Sequence, residues 1–338
     1  TPYLASIART APDHSHAVTL PSSPHIVVRA TAERIDEALS ALLAAGPAAS
    51  ARFARQAETA KLALDRIWCL ADEFGRYRMA VLAVPTLGRT TMLLATHARS
   101  SADALALGPA VAAAATGCAD VSDIAQALVE PARAIDIETY EAGGLRRLAT
   151  LEYLERTFAR SGVPDQPTIP AGWTIESAAD THALNAADPR TLGESHRAQI
   201  AGVLDESYRQ TRDCPGLAGM RRTLDVLDGH FGLGARPRFW LLARQDSVAR
   251  AVCLFNATPD AASAELVYLG IAPAARGLGI ARALLSTGLR ACAQAGVATV
   301  SLAVDASNEP ARKLYATSGF RTTSTRVALV RPLAGARA

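Results

Sequence analysis

The sequence lacks closely spaced cysteines, and this absence excludes two kinds of small structural domain. The five cysteines of the 338-residue chain never form a Cys-x-x-Cys pair; they are Cys69, Cys118, Cys214, Cys253 and Cys292. Such wide spacing fits neither a disulfide framework nor a zinc knuckle. We interpret these cysteines as small core residues of a protein in a reducing compartment.

Blocks of one charge and long apolar runs are also missing. The 35 basic and 32 acidic residues are interspersed and leave a net charge of +3, which argues against nucleic acid as the partner. We see no apolar run of membrane length and no charged-then-apolar opening of the kind that secretory signals have. Because 49% of the residues are hydrophobic, the chain can bury a sizeable core. We expect a cytoplasmic enzyme or binding protein that acts as a monomer or homodimer, away from membranes.

Metal-ligand spacing is missing among the histidines. His14 and His16 stand near the start of the sequence, and His182, His196 and His230 are isolated from one another. We therefore expect no metal site. A Gly-x-Gly run at 232–234 precedes a strand instead of opening a helix, so we interpret it as a turn.

A stretch rich in proline and glycine interrupts the chain. Residues 160–173 (RSGVPDQPTIPAGW) contain three prolines and two glycines, which break helical and strand patterns alike. We expect one domain over 1–160, a linker over 161–171 and a second domain over 172–338. Strand-like segments alternate with helical ones in both domains, which predicts an α/β (α+β) fold with a mixed central sheet flanked by helices.

The two domains show signs of an internal repeat. Residues 143–158 (GGLRRLATLEYLERTF) resemble residues 318–333 (SGFRTTSTRVALVRPL) in a Gly-apolar-Arg opening that a strand pattern follows. So short a match also arises by chance. The matching order of strands and helices in the two halves strengthens the prediction of two tandem units.

A glycine-containing turn in the second half has the features of an anion site. It lies between a buried-strand pattern that ends before Pro273 and a helical pattern that begins near Ile280. The first N–H groups of a helix lack partners within it and attract anions. Gly277 and Gly279 would let a phosphate approach the backbone, and Arg276 would add positive charge. The third glycine of a dinucleotide fingerprint and the Gly-Lys-Ser/Thr of a Walker loop are both missing.

Two segments resemble the GCN5-related N-acetyltransferase (GNAT) family. Residues 266–285 (LVYLGIAPAARGLGIARALL) are similar to its Arg/Gln-x-x-Gly-x-Gly/Ala signature, with Arg276, Gly279 and Ala281 at the signature positions. Residues 308–320 (NEPARKLYATSGF) are similar to its later Asn…Ala…Leu-Tyr…Gly-Phe segment. The resemblance implies acetyl-CoA (coenzyme A) as co-substrate. The residues expected to bind it are Leu269, Gly270, Ile271, Arg276, Gly277, Leu278, Gly279, Ile280, Ala281, Asn308, Arg312 and Tyr315.

The first half departs from this pattern. The strand-like segment 90–98 is followed by RSSADALALG (99–108), which lacks the signature and its glycine pair. We therefore expect two tandem GNAT-like domains with a degenerate amino-terminal copy, as in members of the family similar to mycothiol synthase.

The resemblance also implies roles in acetyl transfer. The family commonly gives the tyrosine at the position of Tyr315 the role of general acid, which protonates the departing thiolate. Glu265, acting through a water molecule, is the first candidate for the base, and Asp305 is its rival. A base is unnecessary if the amine loses its proton to solvent.

The acceptor is the least determined part of this hypothesis. A segment broken by Pro215 and Gly216 contains Tyr208, Asp213 and Cys214, which we expect to contact it. We expect direct attack by a small-molecule amine in a ternary complex, whereas a route through an acyl-Cys214 intermediate has little support because no histidine signature accompanies that cysteine. The alternative function is a non-catalytic acyl-CoA sensor or scaffold.

Overall fold

One succession of strands and helices occurs twice in the computed structural model of the chain, which describes residues 25–177, 194–231, 236–258 and 262–333. Both halves follow the order β-α-α-β-β-β-α-β-α-β in their longer elements. The first half contains β1 (Ile26–Arg29), α1 (Ile35–Leu43), α2 (Pro47–Thr59), β2 (Ile67–Ala71), β3 (Tyr77–Thr86), β4 (Thr90–Ala95), α3 (Ser101–Thr116), β5 (Ile124–Val129), α4 (Ala134–Ala142) and β6 (Arg146–Thr157).

A short helix α5 (Phe158–Ser161) follows, and then the second half begins. Its elements are β7 (Trp173–Ser177), α6 (Glu194–Tyr208), α7 (Thr223–His230), β8 (Arg236–Gln245), β9 (Val248–Ala257), β10 (Ser263–Ile271), α8 (Ile280–Gln294), β11 (Thr299–Asp305), α9 (Glu309–Thr317) and β12 (Arg321–Pro332). The two segments that suggested the repeat contain β6 and β12, which occupy corresponding places in the two halves.

Strand pairing repeats as well. β1, β2, β3 and β4 pair antiparallel in sequence, as do β7, β8, β9 and β10. Each series then makes one parallel pair, between β4 and β5 or between β10 and β11. The expected mixed α/β fold with two tandem units of like topology is confirmed.

The compact units divide at a different place from the predicted linker. One unit extends to Leu148 and also includes the chain from Val327 onward, and the other spans Ala149–Arg326. The proline-rich stretch lacks helix and strand over 162–172, as predicted, but it lies within the second unit. The reason is that β6 pairs with β11 over residues 151–157, just before that stretch. The last residues of β12 correspondingly pair with β5.

The sheet of the second unit is buried on both faces. On one face α8 packs with Ile280, Leu284, Gly288 and Cys292, the helical stripe that the sequence predicts. On the other face α6 and α7 cover a separate cluster centred on Trp240. No helix in the described ranges combines the length and the apolar character needed to cross a membrane.

Gly288 allows α8 to approach β9 closely, and this contact can be tested. A Cβ at Gly288 would lie 2.2 Å from Cε2 of the buried Phe255 ring. We therefore expect Gly288→Ala to lower the free energy of unfolding by about 1–3 kcal/mol, the usual cost of overpacking a core. Gly202 on α6 is the matched control, since a Cβ there meets nothing within 4 Å. Gly202→Ala should leave stability unchanged or raise it by up to about 1 kcal/mol. Urea unfolding of the two variants measures the difference, and equal effects would contradict the contact.

Candidate active site

The candidate site begins where two parallel strands separate. β10 and β11 are paired only from Ser263 to Glu265, although both strands continue beyond that point. A register shift between Leu266 and Tyr268 marks a bulge in β10 just after the pairing ends. The separation therefore starts before Gly270, near which the resemblance to the GNAT family implies it. A cavity of about 610 Å³ lies in the opening.

The backbone of β10 faces this cavity at alternate residues. The N–H of Ala272 donates to the carbonyl of Arg250 on the β9 side. Because alternate residues of a strand direct their N–H and C=O groups to the same side, Leu269 and Ile271 present theirs to the cavity. Gly270 is required for a different reason, since a Cβ there would lie 2.4 Å from Cε1 of Tyr268.

The turn after β10 offers a row of unpaired amides. Gly277 and Gly279 adopt φ values of +80° and +81°, a backbone conformation that residues other than glycine rarely adopt. In the part of the chain that the structure describes, the N–H groups of the five residues 277–281 have no hydrogen-bond acceptor. They lie at the start of α8, where the helix dipole favours negative charge. The arrangement fits a phosphate or diphosphate.

Arg276 lines the cavity, but its side chain is already engaged. Its guanidinium donates to the carbonyls of Ser207, Arg209, Gln210 and Ile271 at 2.9–3.3 Å. The first three of these carbonyls lie at the end of α6 and just after it. Arg276 therefore joins the turn to α6, a role that the sequence pattern did not suggest, instead of directing its charge at the cavity.

Helix α9 forms the opposite wall. The sequence offers Ser307 or Asn308 as its cap, and in the structure Asn308 takes this role by accepting the N–H of Ala311. Pro310, Ala311, Leu314 and Tyr315 line the cavity. The Tyr315 hydroxyl makes no hydrogen bond to any described residue. Burial, followed by the charge of Asp213, raises the pKa of Tyr315 above its ordinary value, so the hydroxyl stays protonated at neutral pH.

The corresponding tyrosine of the first unit has a different environment. Tyr140 and Tyr315 are each the seventh residue of a nine-residue helix, α4 and α9. The Tyr140 hydroxyl accepts the N–H of Ala95 at 3.0 Å and donates to the carbonyl of Leu93 at 3.3 Å. It thus provides hydrogen-bond partners for the β4 backbone just past Met92, where the parallel pairing with β5 ends.

The helix that would hold an anion in the first unit is capped by its own side chains. At the start of α3, Ser100 accepts the N–H of Asp103, and Asp103 accepts the N–H of Arg99. Asp136 accepts the N–H of Ala98 as well. Two buried carboxylates therefore stand near this helix start, which supports the prediction that the first copy is degenerate.

Two carboxylates of the second unit accept backbone N–H groups across the gap between the segment after α6 and the end of β11. The N–H of Asp305 donates to Oδ1 of Asp213 at 3.0 Å, and the N–H of Cys214 donates to Oδ2 of Asp305 at 3.1 Å. These bonds join the segment after α6 to the end of β11. Burial raises the pKa of Asp213 above the ordinary value for aspartate.

The structure brings most of the predicted site residues together. Those that line the cavity are Leu269, Gly270, Ile271, Arg276, Gly277, Gly279, Ile280, Ala281, Asn308, Tyr315 and Asp213. Thr211 and Arg212, on the same segment as Asp213, also line it. Ser207 and Tyr268 line the cavity without having been predicted, because the bulge and the approach of α6 leave no local sequence signal.

The other predicted residues do not line the cavity. Leu278 is exposed, and Arg312 makes a two-pronged ion pair with Glu152 at 2.8–2.9 Å. Tyr208 packs edge-on against Tyr268. Glu265 lies on β10 at the last position paired with β11.

Metal-binding chemistry finds no support among the described residues, where no group of three or more His, Cys, Asp or Glu could hold an ion. Burial lowers the pKa of His230 to about 4, so this ring is neutral at physiological pH. His14, His16, His182 and the Gly-x-Gly of 232–234 lie outside the described residues.

Cys214 is poorly suited to act as a nucleophile. Burial, together with the charges of Asp213 and Asp305, raises the pKa of its thiol to about 12. We expect alkylation of Cys214 by iodoacetamide at pH 8 to be roughly 10³-fold slower than that of an ordinary thiol, whose pKa is about 8.5. Mass spectrometry of the Cys214 peptide measures the rate, and the urea-unfolded chain is the control. Equal rates in the native and unfolded chains would contradict the assigned environment.

Comparison with known proteins agrees with these observations. Residues 204–320 match the model of the Acetyltransferase (GNAT) family. The chain is 30% identical over 190 residues to a mycothiol acetyltransferase of Beutenbergia cavernae, covering 53% of this chain and 58% of the relative. It is 44% identical over 145 residues to the mycothiol acetyltransferase of Stackebrandtia nassauensis, covering 41% and 43%. The chain thus spans about half the length of the curated relatives it matches.

Solved structures share the fold. A GCN5-related N-acetyltransferase from Sphaerobacter thermophilus superposes with a TM-score of 0.56 at 18% identity, over 93% of this chain and 97% of that one. A tandem GNAT protein from the clavulanic acid biosynthesis pathway superposes with a TM-score of 0.51 at 15% identity, over 79% and 82%. At these identities the likeness concerns the fold alone.

Proposed function

We propose, from the premise that residues 204–320 form an acetyltransferase domain of the GNAT family, that the protein transfers the acetyl group of acetyl-CoA to a primary amine of a small molecule. One observation carries the proposal. As far as the described residues show, the second unit has an open cavity with unpaired amides at one end and an unpaired tyrosine hydroxyl in its wall, whereas the equivalent tyrosine of the first unit is bonded to its own sheet.

The residues present fit acetyl-CoA. The amides of residues 277–281 would hold its diphosphate, and the backbone of Leu269 and Ile271 would bind its pantetheine arm as an added strand does. A backbone N–H of β10 would polarise the thioester carbonyl of acetyl-CoA, which belongs to the acetyl group that is transferred. The Tyr315 hydroxyl would donate a proton to the departing sulfur.

The acceptor amine would enter from the side of the segment 211–214. Because this cavity-lining segment is distinct from the β10–α8 turn, both substrates can be bound together and the amine can attack directly. Glu265 is a base only through a water molecule, since it does not line the cavity. The relatives' name, mycothiol acetyltransferase, makes their acceptor the first to assay with this protein.

Coenzyme A binding tests the turn. We expect one coenzyme A per chain by calorimetric titration, because the first unit closes its own equivalent site. Gly279→Val should weaken affinity about tenfold or more, since a β-branched residue resists a φ of +81° and would displace the adjacent amides. Gly296→Val is the matched control, as Gly296 has a φ of +84° just after the other end of α8. Two sites per chain, or equal losses of affinity in the two variants, would contradict the assignment.

Tyr315→Phe tests the chemistry. We expect kcat to fall about 10²-fold or more while coenzyme A affinity is retained, because only the proton donor is removed. Thiol release from acetyl-CoA with a panel of amines measures kcat. The matched control is Tyr140→Phe, which should lower the free energy of unfolding by about 1–3 kcal/mol through lost hydrogen bonds and leave kcat unchanged.

The outcomes separate the two functions under consideration. Coenzyme A binding without turnover on any amine would favour the sensor or scaffold. Turnover that both tyrosine variants reduce equally would count against Tyr315 as the acid.

A further inference from the structure

Three carboxylates of the second unit lie near the separation of β10 and β11, and their positions differ. Asp213 lines the cavity, whereas Glu265 and Asp305 do not. Glu265 is on β10 before the strands part, and Asp305 is 4% exposed at the end of β11. A group that exchanges a proton with a bound amine must reach hydrogen-bond distance of its nitrogen. Position alone therefore favours Asp213.

The hydrogen bonds of Asp213 and Asp305 also favour Asp213 as the proton acceptor. Both oxygens of Asp305 are engaged, because Oδ1 accepts the N–H and the hydroxyl of Ser307 and Oδ2 accepts the N–H of Cys214. Asp213 accepts one backbone N–H, that of Asp305, through Oδ1. The Asn308 side chain also favours the charged form of Asp213. Asp213 is thus held in place from β11 while keeping more capacity to accept a proton.

The groups around Asp213 suit a cationic ligand. The titratable groups that face it are Asp305 from β11, Tyr315 from α9, Tyr268 from β10, Tyr208 from α6 and the neighbouring Cys214. Burial raises the pKa of each of these tyrosines and of the cysteine, so none of them carries charge at neutral pH. Arg276 also lines the cavity, but its guanidinium is bonded to backbone carbonyls. Arg212 adjoins Asp213 in the same cavity-lining segment.

We propose that Asp213 is a further catalytic residue, which holds the acceptor's primary ammonium in the cavity and takes a proton from it. The proposal rests on the proposed acetyl transfer and deepens it by naming the acceptor class, an amine that arrives protonated. Its physical basis is the placement of a backbone-anchored carboxylate on the cavity surface, in the electrostatic range of Tyr315.

The proton and electron balance of the step is closed. The ammonium gives one proton to Asp213, and the free amine nitrogen then forms a bond to the thioester carbonyl carbon. As the C–S bond breaks, the electron pair leaves with sulfur, which receives the Tyr315 proton. The second proton lost by nitrogen restores Tyr315. The proton on Asp213 passes to solvent, so the net reaction releases one proton per amide formed.

The pH dependence follows from this role. Asp213 must be deprotonated to act, so kcat/KM should rise with pH through the pKa of Asp213. That pKa lies above the ordinary aspartate value of about 3.9 because the carboxyl is buried.

Asp213→Asn is the test, because asparagine keeps an oxygen for the N–H of Asp305. We expect kcat/KM at pH 7 to fall about 10²–10⁴-fold, the usual contribution of a general base. The deficit should narrow as pH rises and the amine loses its proton in solution, and coenzyme A affinity should stay within about twofold. Asp246→Asn, in the exposed β8–β9 turn, is the control for the change in charge.

Two further variants keep the test decisive if Asp213→Asn perturbs folding. Asp213→Glu retains a carboxylate. It should recover part of the rate and also the rise of kcat/KM with pH on the acidic side of the profile (the acidic limb), which a purely structural role would not predict. Glu265→Gln examines the rival base. The proposal is overturned if Asp213→Asn keeps the wild-type rate and pH profile, or if Glu265→Gln alone removes the acidic limb. Wild-type protein that binds coenzyme A but acetylates no amine would overturn the proposed function itself, together with this residue's role.

Discussion

The site depends on a single interruption of the sheet, the loss of pairing between β10 and β11 after Glu265. A strand that leaves its neighbour exposes backbone N–H and C=O groups that need other partners. In the second unit the opening contains a cavity, and Leu269 and Ile271 direct their backbone into it. The glycine turn and the α9 wall would have nothing to enclose if the strands stayed paired. A substrate bound along the edge of β10 would pair with these backbone groups as another strand would.

The first unit shows how the same topology can satisfy the freed backbone groups with side chains of its own. Its parallel pair also ends early, at Met92, yet Tyr140 supplies a hydroxyl to the freed backbone of β4. Ser100 accepts the N–H of Asp103, one of the first amides of α3, and Asp103 accepts the N–H of Arg99 just before the helix. A carboxylate near a helix start is favourable by about 0.3–1 kcal/mol. The second unit forgoes this stabilisation at α8, where glycines leave the amides open. Among the described residues, the two copies therefore differ in whether these groups are bonded within the unit or left open.

Local sequence signals predicted the parts of the site that local geometry determines. The glycine turn, the start of α8, the Asn308 cap and the α9 face bearing Tyr315 all follow from short-range spacing and backbone preference. Contacts between distant segments left no such signal. The Arg276 bonds to the end of α6, the pairing of Arg312 with Glu152 and the placement of β6 beside β11 each join residues far apart in the chain. The division between the compact units differs from the predicted linker for the same reason. The unit to which a strand belongs depends on the strand it pairs with, and not on where the nearest proline stands.

The two sides of the opening divide the proposed work between different parts of the chain. The residues proposed to hold acetyl-CoA belong mainly to β10, its turn and the start of α8, where backbone groups dominate. The proposed acceptor side is the segment 211–214, which two hydrogen bonds hold against the end of β11: the N–H of Asp305 donates to Asp213, and the N–H of Cys214 donates to Asp305. Backbone recognition tolerates many side chains, whereas an anchored carboxylate selects for charge. Substitutions in the segment after α6 can therefore change which amine is accepted without altering the cofactor turn, provided that the N–H groups of Asp305 and Cys214 keep their partners.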